Sequence, residues 1–459
     1  MLRASTASTL GRFRPALAHL RNFSSTATAQ AADKNVVFVR GVRTPFCVAN
    51  TEYEDYMAHD LQREAMKGLM KKTGLKGSDI DYICCGYVIQ DVLTSNVARE
   101  AAMGAGLPLS VPAHTVTLAC IGANVATATG IGMIKTGQAD IFMAGGVELM
   151  SDLPIRYSRP LRKRLIKVGK MKTTQQKLGL FKGLTGADFI PQPPAVAEFS
   201  TAEVMGHSAD RLCAWFDVSR ADQDAFARRS HINAENAHAA GFFDEELIAV
   251  KSSISDKYVT KDNGVRVASE EQLAKLKPAF VKPHGTITAA SSSFLTDGAT
   301  ASVIMSEEKC KSMGMTPRAI LRDYVFVSQD PKEQLLLGPA YATNKLLQKT
   351  GMKMEDIGVW EFHEAFAGQV LANVNAMNSD SFCQKYMGRS EKLGVLPIEK
   401  LNTRGGSLSV GHPFGATGTR LLTWAADRLK YEDHQFAVVT ACAAGGQGVA
   451  MLVERHPDF

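Results

Sequence analysis

Two widely separated stretches of this chain share one layout. The first runs from His114-Thr115-Val116-Thr117-Leu118 through Cys120 and a small-residue segment, Ala123 to Lys135. It continues into the apolar run Ile141-Phe142-Met143-Ala144 and the pair Gly145-Gly146. The second runs from Ser407-Leu408-Ser409-Val410 through His412 and the small-residue segment Gly415 to Leu429, then into Phe436 to Thr440 and Gly445-Gly446. Each reads as strand, loop, closely packing helix, strand and glycine turn. Such an echo predicts a duplicated α/β unit, its two halves packed with their loops meeting. The 459 residues leave room for more, since length gives a soft prior of roughly three structural units.

The local patterns fit that plan. Asn35 to Val39 is a β-branched and aromatic run, and Ile80 to Tyr87 reads as a buried strand that takes Cys84 and Cys85 into the core. Asp60 to Lys72 alternates at helical period and stops at Gly74. Between the halves lies an excursion from about Leu153 to Thr288. It contains the prolines 191, 193 and 194 and a helix that Ser219 caps, running to about Ala240 with Gly241 at its end.

Charge divides the chain further. Residues 1 to 32 carry Arg3, Arg12, Arg14 and Arg21 among many Ser, Thr and Ala, with no acid before Asp33, the pattern of a mitochondrial transit peptide. Without them the formal net charge of +6 falls to +2. Residues 156 to 182 hold ten Lys and Arg and no acid, so the rest of the mature chain sums to −8. Leu161, Leu165, Val168 and Met171 recur there at helical spacing, with Lys163, Lys167 and Lys170 on the other side. That suits a helix lying on an anionic membrane; a solvated basic loop or a dock for an acidic partner is the alternative. Nucleic acid is disfavoured, because aromatic residues do not alternate with the charges along the segment. No run of about 18 apolar residues exists to span a bilayer. The 45% hydrophobic and 21% charged residues exclude a disordered chain.

Eight cysteines (47, 84, 85, 120, 213, 310, 383 and 442) show no CxxC pair or Cys/His zinc spacing. A disulfide framework belongs to short secreted chains, so reduced thiols are expected. Cys120 stands just before a helix start, where dipole and free amides favour a thiolate. Alone it reads as packing. Gly411-His412-Pro413-Phe414-Gly415 fixes one imidazole in a rigid loop, Cys442-Ala443-Ala444-Gly445-Gly446 pairs a thiol with residues small enough for close approach, and Glu361-Phe362-His363-Glu364 sets titratable groups among aromatic ones. Together they offer a nucleophile, a base, an oxyanion donor and a proton donor for a carbanion.

With these motifs in this order, joined by Gly145 to Ser151, Met205-Gly206-His207-Ser208-Ala209 and the Thr288 to Gly298 stretch, the chain resembles the thiolase family from about Val36 to Glu454. The resemblance implies an α/β thiolase fold: two βαβαβαββ halves in a layered αβαβα arrangement with an inserted loop domain. On the sequence these are residues 33–152 with 289–312, then 313–459, with 153–288 inserted. It implies cleavage of 3-ketoacyl-CoA by CoA, with CoA as substrate, no permanently bound cofactor and no metal. Cys120 is the implied nucleophile, His412 its activator, Cys442 the acid and base, and the amides of Cys120 and Ala444 an oxyanion hole. His363 stands where most members carry Asn, and Ser291 replaces another Asn. Met205, Arg266, Phe280 and Ser293 match CoA-contacting positions. The HEAFAGQ wording, basic insert and leader are most similar to members acting on long chains at the matrix side of the mitochondrial inner membrane. Those members form a homodimeric core within a complex whose α subunit bears hydratase and 3-hydroxyacyl-CoA dehydrogenase activities. Chain length is not legible in the motifs, so a short-chain acetoacetyl-CoA thiolase is the alternative. Another is a catalytically silent scaffold that binds membrane or partner. A ketoacyl synthase would use histidines where this chain has Cys442.

Overall fold

The computed structural model describes residues 34–459; the leader expected over residues 1–32 lies outside them. The first half contains β1 (Val36–Arg43), α1 (Ala58–Thr73), β2 (Tyr82–Gly86), α2 (Val97–Gly104), β3 (Ala113–Val116), α3 (Gly122–Lys135) and β4 (Ile141–Glu148). A long insertion follows, carrying α4 (Arg159–Val168), α5 (Met205–Trp215) and α6 (Arg220–Ala239). β5 (Thr296–Ser306) then completes this half. The second half contains β6 (Ala319–Ser328), α7 (Gly338–Thr350), β7 (Val359–Phe362), α8 (Ala367–Met377), the single turn α9 (Ser407–Val410), α10 (Thr417–Tyr431), β8 (Phe436–Ala443) and β9 (Gln447–Arg455).

These strands run in the order β7-β8-β9-β6-β1-β5-β4-β2-β3. In the first half β3, β2 and β4 are parallel and β5 and β1 antiparallel additions. In the second half β7 and β8 are parallel and β9 and β6 antiparallel additions. The halves join edge to edge through β1 and β6, over Val37↔Ile320 and Phe38↔Ala319.

Period-two alternation sorts the strand residues into layers. Val37, Val39, Ile141, Met143 and Val303 pack with α1 and α2 on one outer face. Phe38, Phe142 and Ile304 face inward to Ile131 of α3, and on to Leu421 and Leu422 of α10 and Val439 and Met451 of the second half's strands. The far face of the second half covers α7, α8 and the insertion's α5 and α6, through Leu212, Phe226, Leu346, Trp360 and Val370. Helices, sheet, two central helices, sheet and helices thus alternate, the layered thiolase-type arrangement.

The expected strand Ser407–Val410 is a helical turn instead. All that remains of a third parallel strand in the second half is a parallel bridge between Trp360 and Leu401. Gly406 N–H and the Ser409 hydroxyl are bonded to each other, which favours the turn over an extended run. In the insertion, α4 forms over the basic segment, with Ser158 accepting from Leu161 N–H. Met171 lies beyond its end, and of the apolar residues expected to share its face Leu161 alone is buried.

Candidate active site

The two central helices start where the halves meet, and the loops leading into them carry Cys120 and His412. At that junction the backbones nearly touch: a Cβ on Gly146 would lie 1.9 Å from the Gly415 carbonyl oxygen. Only glycine permits this approach. The buried Glu148 carboxylate fastens the same junction, accepting from Val88, Ile89 and Gly415 N–H at 3.3, 2.9 and 3.0 Å. Burial pushes it up to about 7 against the pull of these amides.

Cys120 follows Ala119, whose φ of 42° is a conformation non-glycine residues rarely adopt. The kink delivers the partly buried thiol at the mouth of α3. The sulfur faces the amides of Cys120 itself and Ala444. Those amides favour the thiolate, as expected at a helix start, but burial and then the Glu148 charge outweigh them and push the thiol up to about 12. Cys120 is therefore a thiol at rest, and any attack by its sulfur would need a base.

The sulfur of Cys120 and ring nitrogens of His363 and His412 lie within 4.8 Å of one another, and the two imidazoles stack with centroids 4.0 Å apart. His412 Nδ1 lies 2.6 Å from Thr417 Oγ1, and His363 Nδ1 lies 3.2 Å from Ser407 Oγ. Among the described residues both Nε2 atoms are buried without a partner. Burial first, then the Arg420 charge, holds His363 down to about 3; burial, His363 and Arg420 hold His412 well below its ordinary value. Both rings are neutral at physiological pH. Cys442, at the end of β8, is buried, and burial and then Cys120 push its thiol up. Gly445 and Gly446, at φ 85° and 68°, turn the chain so that the Ala444 amide faces Cys120. Among the described residues the Cys120, His363 and His412 trio alone has metal-ligand proximity; a sulfur held by a metal would be withdrawn from attack on carbon.

Met205, Phe280 and Ser293 gather beside the loop that carries His363. Phe280 stacks edge-on to Phe366 at 5.8 Å and covers Gly206 next to Met205, and Ser293 N–H donates to Ala365 O at 3.0 Å. Arg266 lines a cleft of about 550 Å³ with Arg228, His231, Gln272, Ala289 and Phe294, the last next to Ser293; among the described residues no carboxylate lines it. Ser291 turns inward, its hydroxyl accepting from Thr288 N–H at 2.9 Å, so it closes a local turn.

Sequence reasoning did not find Ser407, Thr417 and Arg420, which support the two imidazoles, nor Glu198, which accepts from Gly445 N–H at 2.9 Å. Arg420 had a signal: a cation in the run Arg420-Leu421-Leu422, four residues from Trp424, must be buried and therefore partnered.

Two family descriptions cover nearly all of the described chain: "Thiolase, N-terminal domain" over residues 36–308 and "Thiolase, C-terminal domain" over 315–455. The chain is 57% identical over 424 residues to the human "Trifunctional enzyme subunit beta, mitochondrial", covering 92% of this chain and 89% of that protein. It is 55% identical to a "Probable 3-ketoacyl-CoA thiolase" of Caenorhabditis elegans, covering 94% and 97% of the two chains. The crystal structure of human mitochondrial 3-ketoacyl-CoA thiolase in complex with CoA superposes with a TM-score of 0.77 at 26% identity, covering 92% and 98%. The chain belongs to the thiolase family and is an acyltransferase.

Proposed function

We propose that this chain cleaves long-chain 3-ketoacyl-CoA with CoA, giving acetyl-CoA and an acyl-CoA two carbons shorter, in mitochondrial fatty acid β-oxidation. The observation that carries the reading is the convergence of Cys120, His363 and His412 around one point, beside Cys442 and the Ala444 amide. His412 Nε2 takes the Cys120 proton as the sulfur bonds to the substrate's C3 carbonyl carbon. The amides of Cys120 and Ala444 receive the resulting alkoxide. The bond between C2 and C3 then breaks, and its electron pair forms the acetyl-CoA enolate, whose oxygen is held at His363 and His412. Cys442 gives this enolate its proton; a thiol pushed up by burial stays protonated until then. In the second stage the Cys442 thiolate takes the proton of incoming CoA, whose sulfur attacks the acyl-Cys120 thioester. The imidazolium of His412 returns its proton to Cys120 as that sulfur leaves.

CoA enters as substrate. The cleft with Arg228 and Arg266 and no acid suits its phosphates, and Met205, Phe280 and Ser293 border the approach to His363. We assign residues 33–152 with 289–312 and residues 313–459 to the two halves, and 153–288 to the loop domain. The relatives named trifunctional enzyme subunit beta support a mitochondrial location and a partner α subunit; we assign the chain to a homodimeric thiolase core within that complex. The basic segment supports contact with the inner membrane. None of its ten cations forms an ion pair among the described residues, and Ile166 and Leu178 beside them are 78% and 68% exposed. No described helix is long and apolar enough to cross a membrane, so contact would be peripheral.

The test is CoA-dependent thiolysis of acetoacetyl-CoA and 3-ketopalmitoyl-CoA, with and without a co-expressed α subunit. Preference for the long chain supports the reading. Preference for acetoacetyl-CoA without need of a partner assigns a short-chain thiolase, and no thiolysis at any length leaves a binding scaffold.

A further inference from the structure

The Cys120 pocket holds two neutral imidazoles side by side, and a neutral imidazole carries its proton on one nitrogen only. Which nitrogen decides whether a ring acts as base or as donor. The hydroxyls behind the rings settle it. Arg420 Nη2 lies 2.8 Å from Ser407 Oγ. A guanidinium can only donate, so Ser407 Oγ accepts there. The remaining neighbour of that hydroxyl is His363 Nδ1 at 3.2 Å. Ser407 is fully buried, and giving its proton to Nδ1 leaves no orphaned hydroxyl hydrogen. Nδ1 of His363 is then the lone-pair nitrogen, and the ring proton sits on Nε2.

At the other ring the polarity reverses. Thr417 Oγ1 donates to Pro413 O at 3.0 Å, one turn back along the chain. It is therefore an acceptor toward His412 Nδ1, 2.6 Å away. The His412 proton sits on Nδ1, and its Nε2 presents a lone pair.

We infer that Ser407 and Arg420 act as positioning residues that lock His363 in the Nε2–H tautomer, while Thr417 locks its neighbour His412 in the Nδ1–H tautomer. The two otherwise similar side chains thereby become a hydrogen-bond donor and a base. The inference deepens the thiolase reading given above and assigns to this chain's own wiring the job that a side-chain amide, with its fixed N–H donors, would do unaided. An imidazole at position 363 is useful for holding an enolate oxygen only if its inward nitrogen carries hydrogen. In the opposite tautomer a lone pair would oppose the developing negative charge. The arrangement is also robust to proton uptake. Arg420 is buried with its guanidinium 4.5 Å from the centre of the Trp424 ring, and its charge, with burial, keeps both imidazoles unprotonated.

Selective ¹⁵N-histidine labelling of the free, full-length protein tests this without turnover. Ring signals are assigned by their loss in His363→Asn and His412→Asn. The expected spectrum shows a protonated Nε2 and unprotonated Nδ1 for His363 and the reverse for His412. Ser407→Ala should convert His363 to a tautomer mixture and leave the His412 signals in place. Matching tautomers in the two rings, or a His363 spectrum unmoved by Ser407→Ala, overturn the inference. Kinetics provide the second arm. Ser407→Ala is expected to lower kcat by roughly 10- to 100-fold, somewhat less than outright loss of an oxyanion donor, with KM for CoA changed less than about twofold. In a His363→Asn background, where the donor needs no tautomer, the same substitution should cost less than about twofold. Equal losses in both backgrounds would show that Ser407 only supports the fold and would overturn its assigned role. Absence of thiolysis with the expected tautomers in place would instead sink the functional reading and spare the wiring.

Discussion

The two halves begin from one plan and end with unequal shares of the candidate site. In the first, the strand β3 feeds a kinked turn and α3, and the half places one thiol, Cys120, at the candidate site. In the second, the corresponding strand has been given up for the helical turn Ser407–Val410, and this half contributes His363, His412 and Cys442. The exchange has a physical logic. A strand would send successive side chains to opposite faces of the sheet. The short turn instead keeps Ser407 beside His363 and Arg420 and carries the chain on to His412. Duplication supplies two helix starts aimed at each other, and local departures from the duplicated pattern supply the difference between a thiol on one side and two imidazoles on the other.

The sharpest way to break this division is to remove the first half's one contribution. Cys120→Ala is expected to reduce thiolysis by roughly 10⁴-fold or more, the scale of losing a covalent nucleophile. Removing one of the second half's groups should cost less: Cys442→Ala is expected to lower kcat by roughly 10²- to 10⁴-fold, as for loss of a general acid and base. Equal, small losses in both variants would refute the two-thiol scheme. The junction itself can be tested by Gly146→Ala, which puts a methyl group against the Gly415 carbonyl. A loss of about 3 kcal/mol in denaturant stability is expected from such overpacking, with an unchanged midpoint meaning that the halves are not held there.

The pH dependence of alkylation sharpens the contrast between thiol and base. A thiol pushed up to about 12 is protonated throughout the physiological range. Iodoacetamide labelling of Cys120 in the free protein should therefore keep rising past pH 9, the ordinary thiol value. A plateau below pH 8 would show a preformed thiolate and remove the need for His412 as base. The smallest catalytic effect is expected in the insertion. Replacing Lys163, Lys167 and Lys170 by Gln should leave thiolysis unchanged while weakening binding to anionic vesicles by roughly 100-fold, at about 1 kcal/mol per cation. Unaltered vesicle binding would remove the membrane role of that segment.

Much of this was legible in the sequence because the relevant signals are local. The Gly445-Gly446 turn, apolar alternation and the small-residue runs from Ala123 and Gly415 locate strands, loops and central helices, and the rigid loops point to Cys120, His412 and Cys442, whereas Gly145 and Gly146, expected as a turn, lie inside β4 because both of its neighbours continue the ladder past them. Ser407–Val410 was misread because four residues of mixed polarity fit a strand as well as a turn, and the bond between Gly406 N–H and Ser409 decides it only in three dimensions. The effect of the helix start on Cys120 was overestimated, since burial and the Glu148 charge come from residues distant in sequence. Ser407, Thr417 and Arg420 were missed for a related reason: a hydroxyl's role depends on which atoms share its proton, and spacing along the chain does not reveal that.

The account rests on an acyl group carried by Cys120, and trapping it is the most direct test. The protein is mixed with 3-ketopalmitoyl-CoA without free CoA, quenched in acid and mapped by mass spectrometry. A palmitoyl group shortened by two carbons, a myristoyl thioester, is expected on the Cys120 peptide and should disappear on addition of CoA. An unmodified Cys120 in a protein that still releases acetyl-CoA, or the acyl group on another residue, would contradict the mechanism.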